Sequence, residues 1–219
     1  MQPSEKSNGH HNYKLIVYSD FIWPWCYIGS VRVDRFRKEF PIEVEFHSFQ
    51  LNPEIPPEGT SLENYFGSID RFERSFRFVQ NAAHEAGLSI KPIRIISNSF
   101  PAFEVGELAK DEGKFLTYQN LVYQAYFREG RDIGDRQVIL DVAVQAGLSG
   151  SNVLSILETG SMKSRVTRDI IKADRMRITG VPAYYMGVYR IIGAQPYDVF
   201  KNAVEQTIRS SESAKSGVS

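Results

Sequence analysis

One cysteine stands in the 219 residues, Cys26, and it closes the tetrapeptide Trp23-Pro24-Trp25-Cys26. A lone thiol forms no disulfide within its own chain and supplies at most one of the four ligands of a structural zinc site. As a thiolate it can attack a disulfide or carry a mixed disulfide with a second molecule. Pro24 suits the first position of a helix, where its missing N–H costs nothing. The tetrapeptide therefore reads as a helix start, and the unpaired N–H groups and dipole at such an end favour a thiolate. The four histidines offer no second chemistry: His10 and His11 lie in the polar start, His47 in a strand-like run and His84 in a helical one, without metal-ligand spacing. No P-loop and no GxGxxG fingerprint is present. No metal is expected.

Lysine plus arginine and aspartate plus glutamate number 26 each, so the net charge is zero and nothing draws the chain to nucleic acid or an anionic membrane. Apolar residues make up 42% and charged residues 24%, an ordinary globular composition. No apolar run approaches the roughly 20 residues needed to cross a bilayer. Residues 1–12 are polar with no apolar leader behind them, which makes the cytoplasm the expected compartment.

The elements that must position Cys26 are legible in order. KLIVYS, residues 14–19, is a short β-prone run. A helix from Pro24 to about Phe40 follows, then an alternating strand over 42–51, so the opening is β-α-β with a parallel pair. Three prolines between 52 and 59 mark a loop. Helical periodicity then dominates from about Leu62 to Ile178, with the stripe Phe72, Phe76, Val79, Ala83, a segment from Ser99 to Gly113, short helices around 121–126 and 138–146, and two serine-capped helices from Ser151 and Ser161. Residues 183–186 and 189–192 read as a hairpin joined by Gly187-Val188 in a type II′ turn. A last helix follows Ala194-Gln195-Pro196 and ends near Arg209. The reading is a thioredoxin-like unit over 13–58 and 161–210, an all-helical insertion over 59–160, and disorder over 1–12 and 211–219.

Two stretches carry a family resemblance. Ser19-Asp20-Phe21-Ile22-Trp23-Pro24-Trp25-Cys26-Tyr27-Ile28-Gly29 resembles the redox segment of the FrnE-like branch of the DsbA family, normally D-x-x-C-P-W-C-Y-I-G. Ile178-Thr179-Gly180-Val181-Pro182-Ala183-Tyr184 and Ile192-Gly193-Ala194-Gln195-Pro196 resemble that branch's G-V-P segment and G-A-Q-P helix start. Phe49-Gln50-Leu51-Asn52-Pro53, Ser97-Asn98 and Ala125-Tyr126-Phe127-Arg128-Glu129-Gly130 also match, and the likeness spans about 14–209. It implies an α/β, thioredoxin-like fold with a large helical insertion. It also implies that Pro182 is cis, and that Val181 offers its backbone to an extended substrate by strand addition. The departure is at Trp23, which stands where the attacking cysteine belongs, so the two-thiol cycle cannot run within this chain.

Three functions follow as expectations. In the first, Cys26 is a single working thiol with glutathione as a co-substrate and Pro182 beside it; the alternative for Cys26 is an inert, packed cysteine. In the second, the chain is a redox-inactive module, with Trp23, Pro24, Trp25 and Val181 holding an extended peptide or small thiol. The third is a glutathione-dependent isomerase or transferase like the 2-hydroxychromene-2-carboxylate isomerases and kappa-class glutathione transferases, where a serine occupies the place of Trp23. Asn52, Asn98 and Gln195 are candidates to hold a polar ligand, although such residues more often satisfy turns. No tightly bound cofactor is expected, and the helical block offers surface for a homodimer.

Overall fold

The computed structural model describes residues 13–216. The disorder expected for 1–12 and for 217–219 lies outside the described residues.

Strand β1 (Tyr13–Ser19) leads through Asp20 into helix α1 (Pro24–Glu39), which returns to strand β2 (Ile42–Ser48). β1 and β2 pair in parallel, Tyr13 opposite Ile42 and Ser19 opposite Ser48. After the helical block come strands β5 (Ala183–Met186) and β6 (Tyr189–Ile192), giving a four-stranded sheet in the order β2-β1-β5-β6. β5 runs antiparallel to β1, with Val17 opposite Tyr184. In the β5–β6 turn Gly187 has φ +57°, and Val188 is not among the positive-φ residues. These signs exclude type I′, which needs positive φ at both positions, and are the ones a II′ turn requires.

Between β2 and β5 lie a short strand pair and seven helices: β3 (Thr60–Ser61), α2 (Leu62–Phe66), α3 (Ile69–Glu85), β4 (Ile95–Ile96), α4 (Phe100–Asp111), α5 (Phe115–Phe127), α6 (Arg136–Gln145), α7 (Gly150–Thr159) and α8 (Lys163–Arg175). Helix α9 (Tyr197–Ser216) completes the described chain.

Four details correct the sequence reading. β2 stops at Ser48 rather than Leu51, because β1 ends opposite it at Ser19 and the Leu51 N–H turns to the Asp20 carboxylate. The two-residue pair of β3 with β4 is too short to leave an alternating pattern and was missed. Helices α7 and α8 begin after Ser149 and Met162, and neither is capped by the serine expected for it. Helix α9 runs on to Ser216, past the end expected at Arg209, because nothing in Ser-Ser-Glu-Ser-Ala-Lys breaks a helix.

β1 is central, and Val17, Tyr18 and Ser19 are all buried, since α1 and α9 pack side by side on the Val17 face, with Phe36 against Phe200, while the helical block covers the Tyr18 face. The larger apolar cluster runs without a break from Tyr18, Phe21, Cys26 and Ile28 into Phe103, Tyr118 and Tyr123 of the helical block. The smaller one joins Val17, Phe36, Tyr184, Phe200 and Val204. Position 26 thus has packed side chains on every side, and residues 26–29 of α1 are buried in succession.

A polar clip holds α8 to the sheet. The Asp169 carboxylate accepts from the Ser48 N–H at 3.0 Å and lies 2.6 Å from His47 Nδ1, whose Nε2 faces Glu45 at 2.5 Å. Burial opposes the charge on Asp169, but His47 and Lys110 outweigh it and the carboxyl titrates below its ordinary range. A depressed carboxyl adds stability above the unfolded value near 4 and loses it as the pH falls further. Asp169→Ala strands the Ser48 N–H and a His47 ring nitrogen, so urea denaturation near neutral pH should show a loss of about 3 kcal/mol. The deficit should shrink as the pH falls below the unfolded value and the wild-type carboxylate in turn takes up its proton.

Candidate functional site

Helix α1 begins at Pro24 with Trp23 as its N-cap, at φ −99° and ψ 114°. Trp23 supplies no side-chain acceptor, so the first-turn N–H groups gain no cap from it. Cys26 is 2% exposed. Its sulfur accepts one hydrogen bond, from the Asp20 N–H at 3.4 Å. Burial pushes the thiol well above its usual range, the Asp20 N–H offsets this in part, and the nearby Asp20 charge adds to it. At neutral pH Cys26 is a thiol, and the structure supports the packed-cysteine reading over the activated one.

Asp20 is the site residue the sequence reading passed over, although it stands three positions before Trp23 in the motif. It is fully buried, and its carboxyl accepts from Leu51 N–H at 2.7 Å and Ile22 N–H at 3.3 Å. Burial raises its titration to about 6 despite those backbone donors. One side chain therefore ties the end of β1, the approach to α1 and the loop after β2 together.

Trp23, Pro24, Trp25 and Asn52 line one cavity of about 90 Å³ with residues of the helical block: Tyr65 and Phe66 of α2, and Phe72 and Phe76 of α3. Trp25 also packs on Phe78, ring centroids 5.7 Å apart, and Phe78 is 68% exposed. The Phe72–Phe76 stripe reads in sequence as an ordinary core face. Its approach to α1 depends on tertiary packing, which periodicity does not report.

Val181 and Pro182 directly precede β5, with Pro182 against Gly29 of α1, and neither lines this cavity. The Val181–Pro182 peptide is cis, as the resemblance implied. A Cβ on Gly29 would sit 3.2 Å from the Pro182 ring and 2.1 Å from the Tyr184 hydroxyl, so only glycine permits this approach. Pro182 accepts from Gly193 N–H at 2.7 Å, while Val181 makes no backbone hydrogen bond to another described residue.

The remaining polar candidates are occupied elsewhere. Asn98 accepts from the Phe100 N–H at 2.9 Å and donates to the Ile55 carbonyl at 2.6 Å. Gln195 donates to the Ile192 carbonyl at 2.9 Å, and its own carbonyl accepts from Arg32. Both satisfy turns away from the Trp23 cavity. No cluster of three metal-ligating side chains occurs among the described residues, and no described helix is long and apolar enough to cross a membrane.

A helix N-terminus carrying a cysteine, faced by a cis-proline loop and capped by an inserted helical block, defines a thioredoxin-fold protein with a degenerate redox motif. The family model of the DSBA-like thioredoxin domain matches residues 14–205, and the chain belongs to that family. It is 30% identical over 196 residues to the protein YwbO of Bacillus subtilis (strain 168), covering 86% of this chain and 94% of that one. Its structure is similar to that of a probable DsbA oxidoreductase from Streptomyces coelicolor, with a TM-score of 0.83, 26% identity and 90% of each chain covered. A 2-hydroxychromene-2-carboxylate isomerase shares the fold at a TM-score of 0.76 and 16% identity, over 92% of this chain and 98% of that one.

The raised carboxyl of Asp20 gives a test of the site's electrostatics. Between about pH 4 and 6 the folded protein keeps a proton that the unfolded chain has released, so stability falls as the pH climbs through this window. The shift corresponds to about 3 kcal/mol. Urea titrations at pH 4, 5, 6 and 7 should show wild-type losing ground to Asp20→Asn as the pH rises; parallel curves would contradict the assignment.

Proposed function

We propose that this member of the DSBA-like family is a redox-inactive binding module that holds an extended peptide across the start of α1. The observation that carries the reading is the pairing of a buried thiol with an aromatic cavity at the same helix end. Trp23 brings no nucleophile, and Cys26, protonated and 2% exposed, cannot readily attack a disulfide. The volume argues for the kind of ligand. Sites that enclose a small molecule run to about 300–1,000 Å³, whereas the cavity beside Trp23 offers about 90 Å³. That is room for one apolar side chain of a peptide, and too little for a bicyclic carboxylate, which weighs against the isomerase reading. The free backbone of Val181 would pair with the same peptide as an added strand. A small thiol such as glutathione, as a noncovalent ligand, is the alternative occupant.

The only two tryptophans of the chain, Trp23 and Trp25, both line the cavity, so tryptophan fluorescence reports on it directly. Extended peptides bearing a leucine or phenylalanine anchor, and reduced glutathione as comparison, would be titrated into wild-type, Trp23→Ala and Cys26→Ala proteins. The expected result is saturable peptide binding that weakens at least ten-fold in Trp23→Ala, as for a truncated aromatic anchor, and is unchanged in Cys26→Ala. A glutathione adduct on Cys26 in the native protein, detected by mass, would favour the one-thiol redox reading instead.

A further inference from the structure

Strand β2 is an edge of the four-stranded sheet, and its outer backbone meets an open groove. The Ser48 N–H points outward to Asp169, whereas the Phe49 N–H points inward to the Ser19 carbonyl of β1. Backbone groups alternate sides along a strand, so Val44 and Phe46 direct theirs outward, in step with Ser48. Neither outward N–H has a partner among the described residues.

Two grooves meet at this edge, one of about 390 Å³ between α1 and α5 and one of about 290 Å³ beside the start of α5, and they share Phe46 and Leu116. Residues 43–46 line the second groove in succession. Side chains alternate faces, so four consecutive residues reach one groove only when it runs along the strand's edge. Gln119 lines the first groove; the residue is 4% exposed, and its amide makes no hydrogen bond to another described residue but still opens to the groove. This amide has a donor and an acceptor to offer a peptide group.

Charge selects the occupant. Arg37 and Asp34 on the groove wall pair at 2.7 Å, Lys110 is held by Glu107 and Asp169, and Glu45 pairs with Lys14 at 2.6 Å. Glu43 is exposed and stands opposite Lys14, but Lys14 closes its ion pair with Glu45 and leaves the Glu43 carboxylate without a contact ion pair. We propose that the free edge of β2 binds an extended basic peptide segment of a partner protein as an added strand. The segment pairs its backbone with Val44 and Phe46, presents a peptide group to Gln119, and sets a lysine or arginine against Glu43. A second copy of the chain fits less well, because edge-to-edge pairing of two β2 strands brings their glutamates together. This surface shares no lining residue with the Trp23 cavity, so it stands or falls separately from the function proposed above.

The test is titration of a fluorescein-labelled hexapeptide alternating lysine and valine into the full chain, read by anisotropy and mapped by amide hydrogen exchange. The expected result is saturable binding with slowed exchange at Val44 and Phe46. Affinity should drop at least ten-fold in Glu43→Lys, for the glutamate–valine counterpart, and for a peptide N-methylated at alternate amides. Absence of saturable binding, equal affinity in Glu43→Lys, or slowed exchange at Val181 in place of β2 would overturn the proposal. So would concentration-dependent slowing at Val44 and Phe46 without peptide, which would make a second copy the occupant.

Discussion

Asp20 spends its carboxyl on the Leu51 and Ile22 N–H groups and its own N–H on the sulfur of Cys26, with no access to water. The end of β1, the start of α1 and the exit from β2 therefore share one anchor. A buried carboxyl is tolerated only where donors surround it, and here the Leu51 and Ile22 N–H groups belong to backbone whose course the fold must fix. The positions of Trp23, Trp25 and Asn52 around their cavity follow from that anchor, since all three lie within a few residues of a group Asp20 holds.

The same packing settles the state of the thiol. A helix N-terminus favours negative charge by about 1 kcal/mol, at most 2 in partly buried settings, which is roughly one pKa unit. Full burial moves a titratable group by as much as 3–5 units the other way. Cys26 sits beneath Tyr27, Ile28 and the aromatic residues of the helical block, so burial wins. With tryptophan in place of the exposed cysteine, the helix end has exchanged an activated nucleophile for an aromatic wall. The insertion then completes that wall with Phe66, Phe72 and Phe76.

Much of this was legible in the residues. The βαβ start, the cis-proline loop and the II′ hairpin each carry a local signal: Pro24 before the helix, Val181-Pro182 before a strand, and Gly187 in the turn. The membership of Trp23 and Trp25 in the site was legible too, because the motif names their positions. Other features left no local trace. Asn98 and Gln195 are polar loop residues by sequence, and only the fold shows that their amides close turns. The cavity wall comes from α2 and α3, some 40–55 residues downstream of Trp23 by number, and a helix stripe reads the same whether it faces a core or a cavity. The role of Asp20 was hidden for a related reason: an aspartate before a helix usually reads as a cap, and its burial is a property of the assembled layers.

The central claim is that Cys26 is a packed, protonated thiol. Its most direct test is the rate of alkylation of Cys26 in the native protein across pH 6 to 9, with denatured protein as the control. The account predicts that iodoacetamide modifies Cys26 only after denaturation, at every pH in the range. Rapid native alkylation with an apparent pKa well below the ordinary thiol value of about 8.5 would mean an exposed, activated thiol, and would contradict it.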